Sequence, residues 1–276
     1  RIRICSPFLL RTVKPPTTSF ETKIVRDIIR LGKRIVIEFD DELYLVLHLM
    51  ISGRLVWSEQ PVLGRPGGKN CLAVLSFSSG ALVFIESGTK KRAALHCVSG
   101  RNELAKHDAG GLDPLHASIE EFESALILEN RTLKRALTNP RVLSGIGNAY
   151  SDEILHAARL SPIRLTRSLS EIEMIRLYSA TVTTLTFWRE KLRHDFGDRF
   201  PKPTEITAFR PEFAVHGKFG IPCPVCQMPV QRIRYAENET NYCAKCQNEG
   251  RLLADRALSR ILKNDWPKTV EEMVGD

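Results

Sequence analysis

No stretch of the 276 residues approaches the ~18 uninterrupted apolar residues that a membrane-spanning helix needs. A bilayer span of that kind is excluded. Nothing near the N-terminus reads as a signal peptide. No internal repeat or low-complexity tract is present, so neither a solenoid nor a disordered tail is expected. Cysteines are few and odd in number, seven, which argues against the fully paired framework of a small secreted protein. Three of them, Cys5, Cys71 and Cys97, lie among apolar residues and read as small buried hydrophobes. Acidic residues are in deficit: 32 Asp and Glu face 40 Lys and Arg, a formal charge of +8. Excess positive charge speaks about partners, and the commonest polyanion is nucleic acid. An initiator methionine is also missing. The sequence starts Arg1-Ile2-Arg3-Ile4, and its natural start is expected upstream.

With 43% hydrophobic and 26% charged residues the chain should pack into a globular fold. Its length suits two or three modules, taking roughly 100–200 residues per domain. Apolar runs at 34–39 and 44–49 flank Asp40-Asp41-Glu42 and read as a hairpin. Runs at 72–77 and 81–86 flank Ser78-Ser79-Gly80 and read as a second, with a further strand at 95–98. This spacing suggests a sandwich or barrel. Between the hairpins, 64–69 is a flexible basic loop.

The pattern changes at Gly110-Gly111-Leu112-Asp113-Pro114. A helix is predicted over 118–129, with Ser118 as N-cap and Glu121 completing a capping box. A short helix over 133–137 stops near Pro140. Another spans 142–158 with a glycine-bearing turn at its front. A long one covers 170–193, where Ile172, Ile175, Leu185 and Trp188 recur near the 3.6 period. Segment 198–211 reads as a linker, and an amphipathic helix is predicted over 252–263, before Pro267. The expected fold class is multidomain α+β, divided into a β-rich part at 1–108, a helical part at 109–210 and a cysteine-bearing part at 211–276.

Cys223-Pro224-Val225-Cys226 and Cys243-Ala244-Lys245-Cys246 are two C-x2-C knuckles separated by sixteen residues. Each knuckle lets two thiolates reach one ion. Together they make a closed, tetrahedral site suited to one structural Zn2+, with no open position for catalysis. The alternatives are paired disulfides, free thiols or a redox motif. The redox reading lacks any βαβ context. The intervening residues fit a hairpin over 230–235 and 240–242. Arg232, Arg234 and Lys245 make that ribbon basic, as a phosphate backbone requires.

The turn Ser144-Gly145-Ile146-Gly147-Asn148 precedes a helix carrying Ser151, Asp152 and Glu153. Its glycines permit a tight bend and bare the backbone N–H groups of a helix N-terminus, a ready phosphate site. Read alone, such a turn is equally an ordinary helix–helix connection. Upstream lies Glu129-Asn130-Arg131-Thr132-Leu133-Lys134. Before that come Gly32-Lys33 and His48-Leu49-Met50-Ile51-Ser52-Gly53-Arg54-Leu55, and the cysteine ribbon follows the turn. In this order the segments closely resemble the formamidopyrimidine-DNA glycosylase and endonuclease VIII family of base-excision repair enzymes. The resemblance covers nearly the whole chain.

The resemblance implies an N-terminal β-sandwich, a central helix–two-turn–helix bundle and a C-terminal β-hairpin zinc ribbon, which clamp duplex DNA. It implies a DNA glycosylase with AP lyase activity that flips an oxidised base out of the stack. The family's nucleophile, the secondary amine of an N-terminal proline, displaces the base through a Schiff base and promotes β-elimination. Lys33 then matches a catalytic proton donor. His48 falls on a phosphate-contacting strand, and Ile51 at an apolar wedge. Lys134 and Asn148 match contacts to the DNA backbone, and Glu153 a carboxylate near the damaged nucleotide.

Three departures stand out. The family's opening Pro-Glu-Leu-Pro is absent and is expected roughly two dozen residues before Arg1. Asn238 stands at the ribbon tip where the family has an arginine that helps δ-elimination. The loop that probes the opposite base reads Gly88-Thr89-Lys90-Lys91-Arg92, in which Lys91 keeps a cation but the wedge phenylalanine is lost. The expected partner is duplex DNA with damaged bases or abasic sites, bound by a monomer inside the cell with no membrane association. The alternatives are a non-catalytic damaged-DNA-binding protein on the same scaffold and an RNA- or ribosome-associated zinc-ribbon protein.

Overall fold

The computed structural model describes residues 1–66, 68–235, 238–253, 268, 269 and 272. The chain forms two compact units, Arg1–Ala109 with Phe196–Thr207, and Gly110–Asp195 with Ala208–Asp276.

The first unit holds eight strands: β1 (Ile2–Ile4), β2 (Val25–Leu31), β3 (Arg34–Phe39), β4 (Leu43–His48), β5 (Gly53–Ser58), β6 (Cys71–Phe77), β7 (Gly80–Glu86) and β8 (Ala94–Ser99). They make two antiparallel four-stranded sheets, ordered β1-β6-β7-β5 and β2-β3-β4-β8. The period-2 alternation of strands sends Ile37, Phe39, Leu43, Leu45, Leu47 and Leu95 of one sheet against Leu55, Leu75, Leu82 and Phe84 of the other. Each such side chain contributes roughly 1.5–3 kcal/mol by leaving water. The unit is a β-sandwich. β4 is buried on both faces, because Tyr44 and Val46 pack outward with Val36, Val98 and Leu104. Leu104 comes from the short α1 (Arg101–Ala105), which covers that outer face.

Both expected hairpins are present. Three strands are additional. β1 has only three residues, too few for a pattern. β2 exposes five of its seven residues, so no apolar alternation marks it. β5 follows a tight turn closed by a hydrogen bond from Gly53 N to Leu49 O at 2.9 Å. A Cβ on Gly53 would come within 2.3 Å of that same oxygen, so only glycine fits.

The second unit begins with α2 (Ile119–Ile127), whose capping box is complete: Ser118 Oγ accepts from Glu121 N, and the Glu121 carboxylate accepts from Ser118 N. α3 (Leu133–Thr138), α4 (Asn148–Ala157) and the long α5 (Glu171–Phe196) follow. Phe122, Leu126, Leu133, Leu137, Leu143, Ile146, Ile154, Leu155, Met174 and Leu177 form their common core. The helix predicted over 142–158 starts only at Asn148. Before it, Leu112 N–H donates to Val142 O and Ser144 N–H to Leu112 O, and Gly145 takes φ +85°. Those bonds hold 142–147 in a turn.

The ribbon consists of β9 (Gln231–Tyr235) and β10 (Asn238–Tyr242), paired with Arg234 opposite Glu239, followed by α6 (Ala244–Asn248). The helix predicted over 252–263 lies almost wholly outside the described residues. Among those described, no helix is long and apolar enough to cross a membrane.

Candidate nucleic-acid interface and metal centre

In the first unit, His48 ends β4 directly opposite Arg34. Its Nδ1 accepts the Met50 N–H at 3.0 Å. That bond leaves the proton of the neutral ring on Nε2. Burial, followed by Arg34 and Lys33, pushes His48 below the usual histidine range. Lys33 is likewise lowered, by burial first and Arg34 second, which favours giving up its proton. Met50 adopts φ +54°, and the turn lifts Ile51 to 72% exposure. Ile51 is therefore at the tip of a turn and not in a sheet core.

Lys91 turns back on its own loop, donating to Asn70 Oδ1 at 3.4 Å and to the Glu86 carbonyl. The loop is held by Glu86, a buried residue that no sequence pattern singled out. Its carboxylate accepts from Ser52 Oγ at 3.0 Å and from the N–H groups of Arg92 and Ala93.

In the second unit the polar residues of α4 face inward. Lys134 Nζ donates to Asn148 O at 2.8 Å, Ser151 Oγ at 2.7 Å and Asp152 Oδ1 at 2.5 Å. Burial lowers the Lys134 pKa, and Asp152 works against that. The other Asp152 oxygen accepts from His216 Nδ1 at 2.7 Å. Glu153 accepts from three successive backbone N–H groups: Ala214 at 2.7 Å, Val215 at 2.9 Å and His216 at 2.8 Å. Asn148 stands at the first residue of α4, and its Nδ2 donates to Glu239 O of β10 at 2.8 Å. The glycine turn and the ribbon are thereby brought side by side. Arg232 stacks on the Phe219 ring at 4.0 Å, and Arg234 reaches Glu239 at 3.2 Å. Asn238 is the first residue of β10.

Asp152, His216 and Glu86 were missed in the sequence. The signal for the first was a run of polar residues at Asn148, Ser151, Asp152 and His156, spaced three and four apart. Nothing local marks His216 or Glu86, whose partners are 64 and 34 residues away.

The four cysteines converge, with all Sγ atoms within 4.8 Å of one another. Cys223 and Cys246 are 3.9 Å apart, and Cys226 and Cys243 3.3 Å. A tetrahedron with Zn–S bonds of ~2.3 Å has edges of about 3.8 Å, so the set fits. Burial pushes the Cys246 thiol up to about 11 in the absence of a cation, a penalty that a bound dication reverses. Cys243 Sγ also caps α6 by accepting from Cys246 N at 3.4 Å. A further contact crosses from α4: the buried His156 Nε2 is 3.3 Å from Cys223 Sγ. These cysteines hold one structural zinc.

A β-sandwich, a helix–two-turn–helix bundle and a four-cysteine ribbon in this order define a class of DNA-processing proteins. The model for the formamidopyrimidine-DNA glycosylase N-terminal domain matches residues 2–89. That for the H2TH domain of the same enzymes matches 111–189, and that for the zinc finger found in FPG and IleRS matches 220–248. A formamidopyrimidine-DNA glycosylase of Solibacter usitatus is 30% identical over 219 residues, covering 79% of each chain. An uncharacterized formamidopyrimidine-DNA glycosylase-like protein of Mycobacterium tuberculosis is 36% identical over 155 residues, 55% of this chain and 94% of the relative. The crystal structure of MutM (Fpg) from Thermus thermophilus superposes with TM-score 0.72 at 28% identity, covering 91% of both chains. The fold is shared further with Lactococcus lactis Fpg in complex with abasic-site DNA, at TM-score 0.76 and 23% identity over 90% of this chain and 91% of that one. The chain belongs to the formamidopyrimidine-DNA glycosylase family.

Proposed function

We propose that this protein is a base-excision-repair DNA glycosylase with AP lyase activity, which removes oxidised bases from duplex DNA inside the cell and acts as a monomer. The observation that carries the reading is the Asn148–Glu239 hydrogen bond. It joins the N-terminus of a ten-residue helix, with its free N–H groups, to a basic hairpin, and both features favour phosphate. In functional terms the chain divides into a catalytic lobe at 1–108, a DNA-binding bundle at 109–210 and a zinc ribbon with its C-terminal segment at 211–276.

In the chemistry that the resemblance implies, a prolyl amine attacks the sugar carbon of a flipped nucleotide and the base departs. The resulting iminium draws electrons from the adjacent C–H bond, so the strand is cut by β-elimination. Lys33, with its lowered pKa, gives its proton to the leaving base. His48 presents Nε2–H to a phosphate. Ile51 fills the space that the flipped base vacates. Lys91, released from its own loop, serves the opposite strand. Asn148 and the turn bind phosphate, Lys134 fixes the end of that turn through the Asn148 carbonyl, and Glu153 holds the 214–216 segment against the same helix. Asn238, lacking a cation, leaves δ-elimination weak.

The test compares the chain starting at Arg1 with a form extended to begin with proline and glutamate. Borohydride should trap a covalent adduct between the extended form and a duplex with an oxidised base, and the shorter form should bind without excision. Equal excision by both forms would place the nucleophile within these 276 residues and overturn the mechanism.

A further inference from the structure

Cys5 and Cys71 are 66 residues apart in sequence, yet their Sγ atoms lie 2.9 Å apart. The sandwich itself makes this meeting. Cys5 follows the edge strand β1, and its N–H donates to Leu72 O at 2.8 Å, while Ser6 N–H donates to the same oxygen at 3.0 Å. Cys71 opens β6, the partner of β1. Both sulfurs belong to a small apolar cluster with Val74, Ala81 and Val83 on the outer face of that sheet. A disulfide has an S–S length of ~2.03–2.05 Å, so less than ~1 Å separates this pair from bonding distance.

The two thiols differ in access. Cys71 is fully buried, whereas Cys5 is partly exposed. The Arg65 guanidinium donates to the Cys5 carbonyl and so holds the backbone that carries the partly exposed sulfur. Burial first, then Cys5, pushes Cys71 up to about 12, so its attack has to be coupled to loss of its proton. One sulfur is thus placed to meet an oxidant and the other to resolve it.

We propose that Cys5 and Cys71 are a reversible oxidation site that closes to a disulfide when the protein meets a hydroperoxide. The Cys5 sulfur attacks one peroxide oxygen, the O–O bond breaks, and the departing hydroxide takes the Cys5 proton to leave as water. Cys5 is then a sulfenic acid. The Cys71 sulfur attacks the sulfenic sulfur, the S–O bond breaks, and the hydroxide leaves with the Cys71 proton as a second water. Two thiols lose two electrons and two protons, and one hydrogen peroxide becomes two waters. A small dithiol reverses the bond by exchange. The closed form ties β1, an edge strand with three paired residues, and the Arg65 loop to β6. The proposal stands independently of the glycosylase reading.

The experiment treats the full, zinc-loaded chain with limiting hydrogen peroxide, alkylates the remaining thiols with N-ethylmaleimide, and maps peptides without reduction. A linked peptide joining Cys5 to Cys71, which disappears with dithiothreitol, is expected. The oxidised protein should melt higher by roughly 5–15 °C, the effect of closing a loop of this length. Cys5→Ser, at a partly exposed position, should abolish both the linked peptide and the rise in Tm. Cys97→Ala, in the sandwich core, should leave the linked peptide unchanged. The proposal is overturned if Cys5 and Cys71 are both recovered alkylated, if Cys5 is recovered as a sulfinic acid, or if either is linked to one of the four zinc cysteines.

Discussion

Replacing Glu153 by glutamine changes one atom and tests what this carboxylate does. In the folded chain one oxygen accepts the N–H groups of Val215 and His216, and the other accepts that of Ala214. The side chain is 8% exposed, so water cannot take over these bonds. In glutamine the carbonyl oxygen can keep its two donors, but the NH2 group then faces the Ala214 N–H, donor against donor. One buried N–H is left unpaired, at about 1–3 kcal/mol, and the other two bonds lose their charge assistance. The expected destabilisation is ~2–4 kcal/mol. Trp188 packs on Phe213 with ring centroids 4.8 Å apart, so its fluorescence reports the neighbouring segment directly. Urea unfolding of the zinc-loaded protein, followed at Trp188, should show the midpoint falling with little change in slope. Glu153→Gln should affect DNA affinity only at urea or temperature values where the unit has begun to open. If the variant were as stable as the parent and yet lost affinity for an abasic-site duplex, Glu153 would be a direct DNA contact and the stapling argument would fail.

Metal analysis should return one zinc per chain, and Cys243→Ser should release it and unfold the ribbon, whose apolar core is small; a zinc-free protein with an intact ribbon by amide exchange would refute this. Asn148→Ala should weaken binding to damaged and undamaged duplexes alike, by roughly 1 kcal/mol, with affinity falling steeply as salt rises; a loss confined to one sequence would count against phosphate binding. His96, set among His107, Arg34, Arg11 and His48, has its pKa lowered by burial and then by those cations, to about 4. The unfolded chain therefore binds the extra proton between about pH 6.5 and 4 while the folded chain does not, so stability is present above that window and is lost as pH falls through it. After allowance for solvent screening the effect is ~1–2 kcal/mol, and His96→Gln should flatten the acid limb of a Tm–pH curve.

The parts that were legible in the sequence share a physical feature: their signal is local. The two sandwich hairpins announce themselves by apolar runs broken at turn residues, the α2 cap by Ser118 and Glu121, and the metal site by the spacing of two knuckles. The strand β2 was not legible because it exposes most of its residues and so carries no alternation. The premature start predicted for α4 has a similar origin, since Val142, Leu143 and Ile146 are apolar at helical spacing, but the backbone bonds of Val142 and Leu143 go to Leu112 and Asn139. The candidate phosphate-binding turn is legible through its glycines and its family resemblance. Its support was not, because Lys134, Asp152 and Glu153 look from spacing alone like the solvated face of a helix.

That inverted face is what joins the two halves of the candidate interface. Along ten residues of α4, Asn148 holds the β10 backbone, Asp152 holds Lys134 and His216, Glu153 holds the 214–216 segment, and His156 touches a zinc cysteine. Each bond is buried or partly buried, and breaking any one strands a donor, an acceptor or a charge in a place that water does not reach. The glycine turn therefore cannot be loosened while the ribbon stays fixed, nor the ribbon released while the turn keeps its shape. Zinc, in a closed four-thiolate site with no open position, still has a route to the end of α4 proposed to bind phosphate. It fixes Cys223 and Cys243, these fix His156 and β10, and β10 fixes Asn148. Loss of the metal should thus appear as lost DNA affinity at Asn148 before the core of α2, α3 and α5 unfolds.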